Sequence, residues 1–303
     1  MRVAVNWSGG KDCCMAAYYA TKEGYEISTL LNFIFTNYGR ETPLWVWEYL
    51  TTNIGKSTPH KFLNLSRLAL RATGKRLSHK IGSAAKSRPK RTGGNVKPNP
   101  GRRLIPHEVA PAIVALQAQA MGVHIIQNET TWGEFSTQFK ENVRKIDQKD
   151  MEGGIVSGMI PPDPVLDHPR KTKKATGLMM GRGWWTKQLK DLGLKAIFPL
   201  VDKTPEELLS DIIDKHFEVL IVVVNPAFIG EEWLGRKIDK DFISLMRKLN
   251  HEKGITMLGD EYHTFVLDCP LFKKRLQLVK TKKIAKDGYS VLEISEAKLV
   301  AKN

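Results

Sequence analysis

The stretch that most constrains this chain is Val3-Ala4-Val5-Asn6-Trp7-Ser8-Gly9-Gly10-Lys11-Asp12. Its apolar, β-prone opening predicts a buried strand. A polar Gly-rich turn follows at once, and Cys13-Cys14-Met15-Ala16-Ala17-Tyr18-Tyr19-Ala20 has the composition of a helix with Asp12 near its start. Strand, glycine turn and helix N-terminus together make an anion site, because glycine lets the backbone approach an oxyanion closely. The free N–H groups of a first helical turn and the helix dipole favour negative charge there. Ser8 adds a hydroxyl donor, Lys11 a cation, and Asp12 a carboxylate suited to Mg²⁺. The G-x-x-x-x-G-K-[ST] pattern of a Walker A loop is absent.

A chain of 303 residues holds one large or two modest domains. Past position 105 the pattern alternates. Val109 to Met121 has helical spacing and stops at Gly122; Val123-His124-Ile125-Ile126 is the next strand; Phe135 to Ile146 is a helix. Ile155-Val156-Ser157-Gly158 is strand-like, Trp184 to Leu192 a helix, and Ala196-Ile197-Phe198 a strand. Thr204-Pro205-Glu206-Glu207 has the form of a capping box, opening a helix to about His216 that feeds the strand Phe217 to Val224. This alternation predicts a parallel α/β sheet of Rossmann-like type with ligands at the carboxyl ends of its strands, where Ser8–Asp12 and Gly158 both fall.

The net charge is +15, and it is localised. From Tyr49 to His107 there is no Asp or Glu but fourteen Lys or Arg, so the rest of the chain is close to neutral. Ser83 to Arg103 is rich in Ser, Pro, Gly and basic residues, a composition that predicts disorder. The segment 49–107 offers RNA or ribosome contact through phosphates. It reads equally as an insertion without a part in the chemistry, and the lack of aromatic residues among the basic ones of its tail favours that reading. A second insertion or loop spans about 161–178. No apolar run reaches the length of a membrane span, and Arg2 precedes no long apolar region, so neither membrane nor secretion is expected. Three cysteines give neither a disulfide framework nor C-x-x-C zinc spacing, which predicts a reducing cytoplasm.

The string Ser-Gly-Gly-Lys-Asp resembles the pyrophosphate-binding loop of the N-type ATP pyrophosphatases. The resemblance widens along the chain. Arg102 to Pro111 (Arg-x-x-x-Pro-His-Glu-Val-Ala-Pro), Leu116 to Gly122, Ser-Gly-x-Ile at 157–160, Trp233-Leu234-Gly235-Arg236 and Glu261-Tyr262-His263-Thr264 occur in order. As a set they resemble the diphthine–ammonia ligase family, across nearly all of the chain outside 40–100 and 161–178. The resemblance implies a HUP-class, Rossmann-like ATP-binding domain at 1–195, with insertions at about 40–104 and 161–178, and a smaller α/β substrate-side domain at 196–303.

It also implies ATP-dependent amidation: the diphthine carboxylate on elongation factor 2 is adenylated with release of pyrophosphate, and ammonia displaces AMP. In those terms Ser8, Gly9, Gly10, Lys11, Asp12, His107 and Gly158 hold ATP, and Asp12 holds Mg²⁺. Lys11, Asp12, Glu261 and His263 carry the chemistry, and Arg182, Arg236, Glu261, Tyr262, His263 and Thr264 meet the substrates. Arg236 is alternatively an exposed helix-start arginine, His263 a structural residue beside a strand, and Gln117 either faces the nucleotide or is a solvated helical residue.

The sequence departs from the family pattern in places. Cys13 stands where relatives usually have Ser, which predicts a small buried thiol or one activated at a helix N-terminus. Met159 stands where relatives have Asp, and Met257-Leu258-Gly259-Asp260 replaces a Gly- and Glu-rich string. Two other readings therefore stay open: a loop enzyme that adenylates tRNA, and a nucleotide-binding paralogue without turnover that uses its basic arm on RNA.

Overall fold

The computed structural model describes residues 1–35, 109–131, 133–160, 182–259, 261–286 and 288–302. All of them belong to one compact unit. The basic segment 49–107, His107, the insertion at 161–178 and Asp260 lie outside the described residues.

The first sheet is wholly parallel, with order β3-β2-β1-β4-β5. Its strands are β1 (Arg2–Asn6), β2 (Glu26–Phe35), β3 (His124–Thr130), β4 (Ile155–Val156) and β5 (Ala196–Ile197). Helices α1 (Lys11–Lys22), α2 (Pro111–Met121), α3 (Phe135–Arg144) and α4 (Arg182–Lys190) cover it. Strand β1 is central because both of its faces are apolar. Val3 and Val5 enter one buried cluster with α1 and α2, while Ala4 enters another with Phe33, Phe139 and Trp185. The period-2 alternation of a strand thus divides three consecutive residues between two layers. From β1 the chain runs outward to β2 and β3, then returns to lay β4 on the other side of β1. That reversal opens a crevice at the carboxyl ends of β1 and β4.

The expected parallel sheet is therefore present, but it does not include Phe217–Val224. Strand β6 (Glu218–Val224) pairs antiparallel with β7 (Tyr262–Asp268) and β9 (Tyr289–Val300), and β8 (Arg275–Lys286) completes a second sheet of order β7-β6-β9-β8. Val219 to Val224 is fully apolar and buried, and an unbroken apolar run looks alike in a parallel or an antiparallel setting. Pairing direction is a tertiary property. The β8–β9 hairpin is a further element, absent from the alternation of strands and helices expected from sequence. The first sheet also takes in Ala196 and Ile197, just past the 195/196 division expected there.

Helices α5 (Pro205–Asp214) and α6 (Lys240–Lys253) accompany the second sheet. The predicted capping box is formed: Thr204 Oγ1 accepts from Glu207 N at 3.2 Å and Glu207 Oε2 accepts from Thr204 N at 2.6 Å. Asp239 caps α6 by accepting from Phe242 N at 2.9 Å. One continuous apolar cluster runs from Val3, Val5 and α1 through α2 into β6, β7 and β9, joining the two sheets. Among the described residues, no helix is long and apolar enough to cross a membrane.

Candidate functional site

The Gly-rich loop leaves β1 at the crevice and lies against the open edge of β7. Gly9 has φ +84°, and a Cβ there would stand 2.9 Å from Gln117 Oε1 and 3.0 Å from Phe265 Cε2, so only glycine fits. Its carbonyl accepts from Val266 N at 3.0 Å, a strand-edge hydrogen bond that ties the loop to the second sheet. Gln117 completes the tie. It is 0% exposed; its Nε2 donates to Gly9 O at 3.0 Å and to Val266 O at 2.7 Å, while its Oε1 accepts from Trp7 Nε1 at 2.8 Å. Gln117 is thus neither solvated nor placed by these bonds as a ligand contact: its amide is a clamp. Ile113, Val114, Gln117, Ala118 and Met121 form one buried stripe of α2, so the helical spacing itself held the signal.

Helix α1 begins without a cap of its own. Gly10 is its N-cap residue and offers no side chain. Thr264 supplies the missing acceptor from β7, taking the Lys11 N–H on its Oγ1 at 3.0 Å. Cys14 N is bonded to Gly10 O at 3.3 Å. Helix geometry leaves the N–H groups of Asp12 and Cys13 without an intrahelical acceptor. Gly158 faces them from the end of β4: a Cβ on Gly158 would lie 2.7 Å from Cys13 N and 2.9 Å from Cys13 Cα. Glycine is therefore the residue that this close approach to the start of the helix allows.

Lys11 is only 3% exposed. Its Nζ donates to Leu258 O and to Asp12 Oδ2, the latter at 3.0 Å, and lies 5.2 Å from the centroid of the Tyr262 ring. The loop cation is thus held by the segment leading into β7. Tyr262 is itself fixed, since its hydroxyl donates to Met257 O at 2.9 Å. Burial, with the nearby Asp12 charge, pushes that phenol well above its ordinary value.

Cys13 is buried, as a small packing residue is expected to be. Burial pushes its thiol up, but hydrogen bonding with Cys14, Ser8 and the Ser8–Gly9 backbone outweighs burial and leaves it below the ordinary value. Its Sγ contacts Gly10 O at 3.2 Å and Ser8 Oγ at 3.5 Å. Cys14, one residue on, is raised well above the ordinary value, first by burial.

The remaining expected residues divide. Glu261 Oε2 accepts from Asn225 Nδ2 at 2.6 Å, and Asn225 N donates to Glu261 O at 2.8 Å. Asn225 directly follows β6 and was missed in the sequence; an Asn-Pro step after an apolar strand was the available sign. His263 alternates on β7 between Tyr262 and Thr264, so it projects to the opposite face of the strand from those two. Arg236 makes local contacts: its Nη2 is 3.0 Å from Asp239 Oδ2 and its guanidinium lies 4.1 Å from the Trp233 ring centroid. Arg182 is exposed at the start of α4, with its guanidinium 5.8 Å from the Phe198 ring centroid. Met159 packs against the apolar cluster of Phe139 and Trp185. Lys11, Asp12, Tyr262 and Thr264 are therefore brought together with the loop. Among the described residues, no such contact is seen for Arg182 or Arg236.

A parallel sheet with a glycine loop and helix N-terminus at its switch point defines a Rossmann-like α/β protein. Residues 1–42 match the family model described as diphthamide synthase N-terminal domain, and residues 204–300 the one described as diphthamide synthase C-terminal domain. A protein of Schizosaccharomyces pombe named diphthine–ammonia ligase is 33% identical over 122 residues, 38% of this chain and 20% of that protein. Proteins of the same name from Bos taurus and Homo sapiens are each 34% identical over 90 residues, 29% of this chain and 33% of theirs. The matches thus span a third or less of these relatives' own length. A crystal structure described as a predicted subunit of tRNA methyltransferase from Methanocaldococcus jannaschii covers 89% of this chain and 97% of its own. Its TM-score is 0.36 at 11% identity, a likeness too slight to carry weight.

Proposed function

We propose that this chain is an ATP-dependent ligase of the diphthine–ammonia type, which amidates the diphthine carboxylate on elongation factor 2 with release of AMP and pyrophosphate. A carboxylate is a poor acyl electrophile because its leaving group would be oxide, and transfer of AMP to it supplies a good one. The protein's work is to align the two substrates and to stabilise charge developing on pyrophosphate. Ser8, Gly9, Gly10 and the N–H groups of Asp12 and Cys13 suit that charge. The carrying observation is that the end of β4 at Gly158 meets the start of helix α1 at Cys13 N, beside the Gly9–Gly10 loop, as a glycine at that position allows.

The Lys11 ammonium, bonded to Leu258 O and Asp12 Oδ2, keeps a third N–H for a phosphate oxygen, so the nucleotide and the segment before β7 share one cation. Asp12 is 29% exposed at its side chain and is the carboxylate that would hold Mg²⁺ beside phosphate oxygens. When bound, that ion offsets triphosphate charge. In this reading the first sheet serves the nucleotide and the second the protein substrate. Glu261, oriented by Asn225, receives the proton that ammonia loses. Three free cysteines suit a reducing cytoplasm.

A second reading, nucleotide binding without turnover, is favoured by one observation. Met159 packs into the apolar cluster where relatives carry a carboxylate. The test is AMP and pyrophosphate release from ATP, with diphthine-bearing elongation factor 2 and ammonium each added or withheld. Release that needs all three supports the ligase. Binding without release supports the second reading, and release that follows tRNA overturns both.

A further inference from the structure

The β8–β9 hairpin lies outside the nucleotide loop and has no part in the chemistry above. Residues 273–286 carry seven cations (Lys273, Lys274, Arg275, Lys280, Lys282, Lys283 and Lys286) and no acid. Removing these seven and the fourteen of 49–107 from the net +15 leaves the remainder of the chain at −6, so positive charge is segregated onto the strand. Among the described residues, strand β8 is the edge of its sheet and pairs only with β9. Its register is irregular at Leu278–Thr281 and regular from Thr281 to Lys286 against Tyr289 to Ile294. Along that regular stretch every second residue turns its N–H and C=O away from β9.

The lysines there are exposed. Lys280 and Lys282 stand directly across from Glu296 and Glu293, yet neither forms an ion pair within 4.0 Å among the described residues. Val279, 51% exposed, is the one large apolar side chain besides Met1 that the described residues leave in solvent. An open strand edge asks for an extended polypeptide, and its charge asks for acidic side chains. A second copy of β8 would set lysine against lysine and is disfavoured.

We propose that β8 is a docking strand: an acidic, extended segment of a protein partner adds along Thr281–Lys286 as a fifth strand, held by backbone hydrogen bonds and by Lys280 and Lys282. Strand addition of this kind draws affinity from the main chain and specificity from alternate side chains. Phosphate chemistry alone would not use the free backbone edge, which is why a peptide and not RNA is inferred.

Hydrogen–deuterium exchange on the full chain tests it, using as probe a short peptide that alternates glutamate with valine or threonine. Slowed exchange confined to 281–286 is expected. In the Lys280→Glu/Lys282→Glu variant the peptide should bind on the order of tenfold more weakly. The milder Lys280→Gln/Lys282→Gln variant should fall between the two, with exchange elsewhere in the chain as in the parent, which controls for folding. Equal protection by a peptide with glutamine in place of glutamate would overturn the charge argument. Peptide binding with no protection of β8, or binding of poly(U) alone, would overturn the proposal.

Discussion

Thr264 Oγ1 accepts the backbone N–H of Lys11 at 3.0 Å, so helix α1 is capped by a residue 253 positions further along the chain. Most caps are local, drawn from the residue that opens the helix. Here the cap belongs to the second sheet, so the shape of the anion loop depends on how that sheet is seated. Thr264→Val keeps the volume and removes the acceptor. Its cost should be about 1 kcal/mol, read as a lowered urea midpoint at unchanged slope. Nucleotide affinity should fall with it, whereas a Thr264→Ser variant should restore most of both.

Gln117 makes three hydrogen bonds at 0% exposure. Gln117→Leu leaves Trp7 Nε1 and Val266 O buried without this partner and should cost on the order of 3 kcal/mol. Trp7 reports the change directly, because loss of the indole hydrogen bond should shift its fluorescence. An unchanged spectrum and midpoint would show that the clamp does not hold the loop.

Lys11→Met removes a buried cation whose hydrogen-bond partners are Leu258 O and Asp12. The variant should fold with near-parental stability, since an apolar side chain of similar length replaces a costly buried charge. ATP affinity by calorimetry should drop by roughly tenfold to a hundredfold, the worth of one charge-assisted contact to phosphate. Parental affinity would mean that the ammonium makes no contact with phosphate.

Gly158→Ala places a methyl group 2.7 Å from Cys13 N and 2.9 Å from Asp12 C. Backbone must move, and the expected loss is about 1–3 kcal/mol in thermal or denaturant unfolding. Since the methyl group also covers the Cys13 N–H, nucleotide binding should weaken beyond what stability predicts. Equal binding by a folded variant would place the phosphates elsewhere.

Alkaline pH provides a further check. Cys14 and Tyr262 lie well above their ordinary values, first through burial, and burial likewise pushes Cys269 up to about 12. A group raised by folding contributes stability in full below its unfolded value and loses it as pH rises through the folded one. For these thiols stability should decline from about pH 9 toward pH 12, with Tyr262 adding above pH 10. Cys13, shifted the other way, adds stability only as pH rises toward about 9 and leaves the fall above that unchanged. An unfolding midpoint that does not fall over that window would contradict the buried assignments.

Much of the nucleotide side is legible in the sequence. The strand before Ser8, the helix after Gly10, the capping box at Thr204 and the small residue at 158 are each decided within a few positions. Periodicity or hydrogen-bond demand settles them locally. The pairing of β6 is not legible there, because an all-apolar strand carries no mark of direction. Nor are the roles of Gln117 and Asn225, whose partners are far along the chain: Gln117 Nε2 reaches Gly9 O across 108 positions and Val266 O across 149, and Asn225 reaches Glu261 across 36.

Local sequence is enough to say where an anion can be held: residues 8–12 make a glycine loop and a helix start in almost any α/β setting, for reasons of backbone sterics and unpaired N–H groups. What that loop leans on is a matter of tertiary packing alone. Thr264, Leu258, Val266 and Gln117 converge on Gly9 and Lys11 because β7 presents an open edge, and an open edge takes whichever backbone is packed beside it. Helix termini and strand edges leave hydrogen-bonding groups whose partners can come from any distance along the chain, and packing chooses among them.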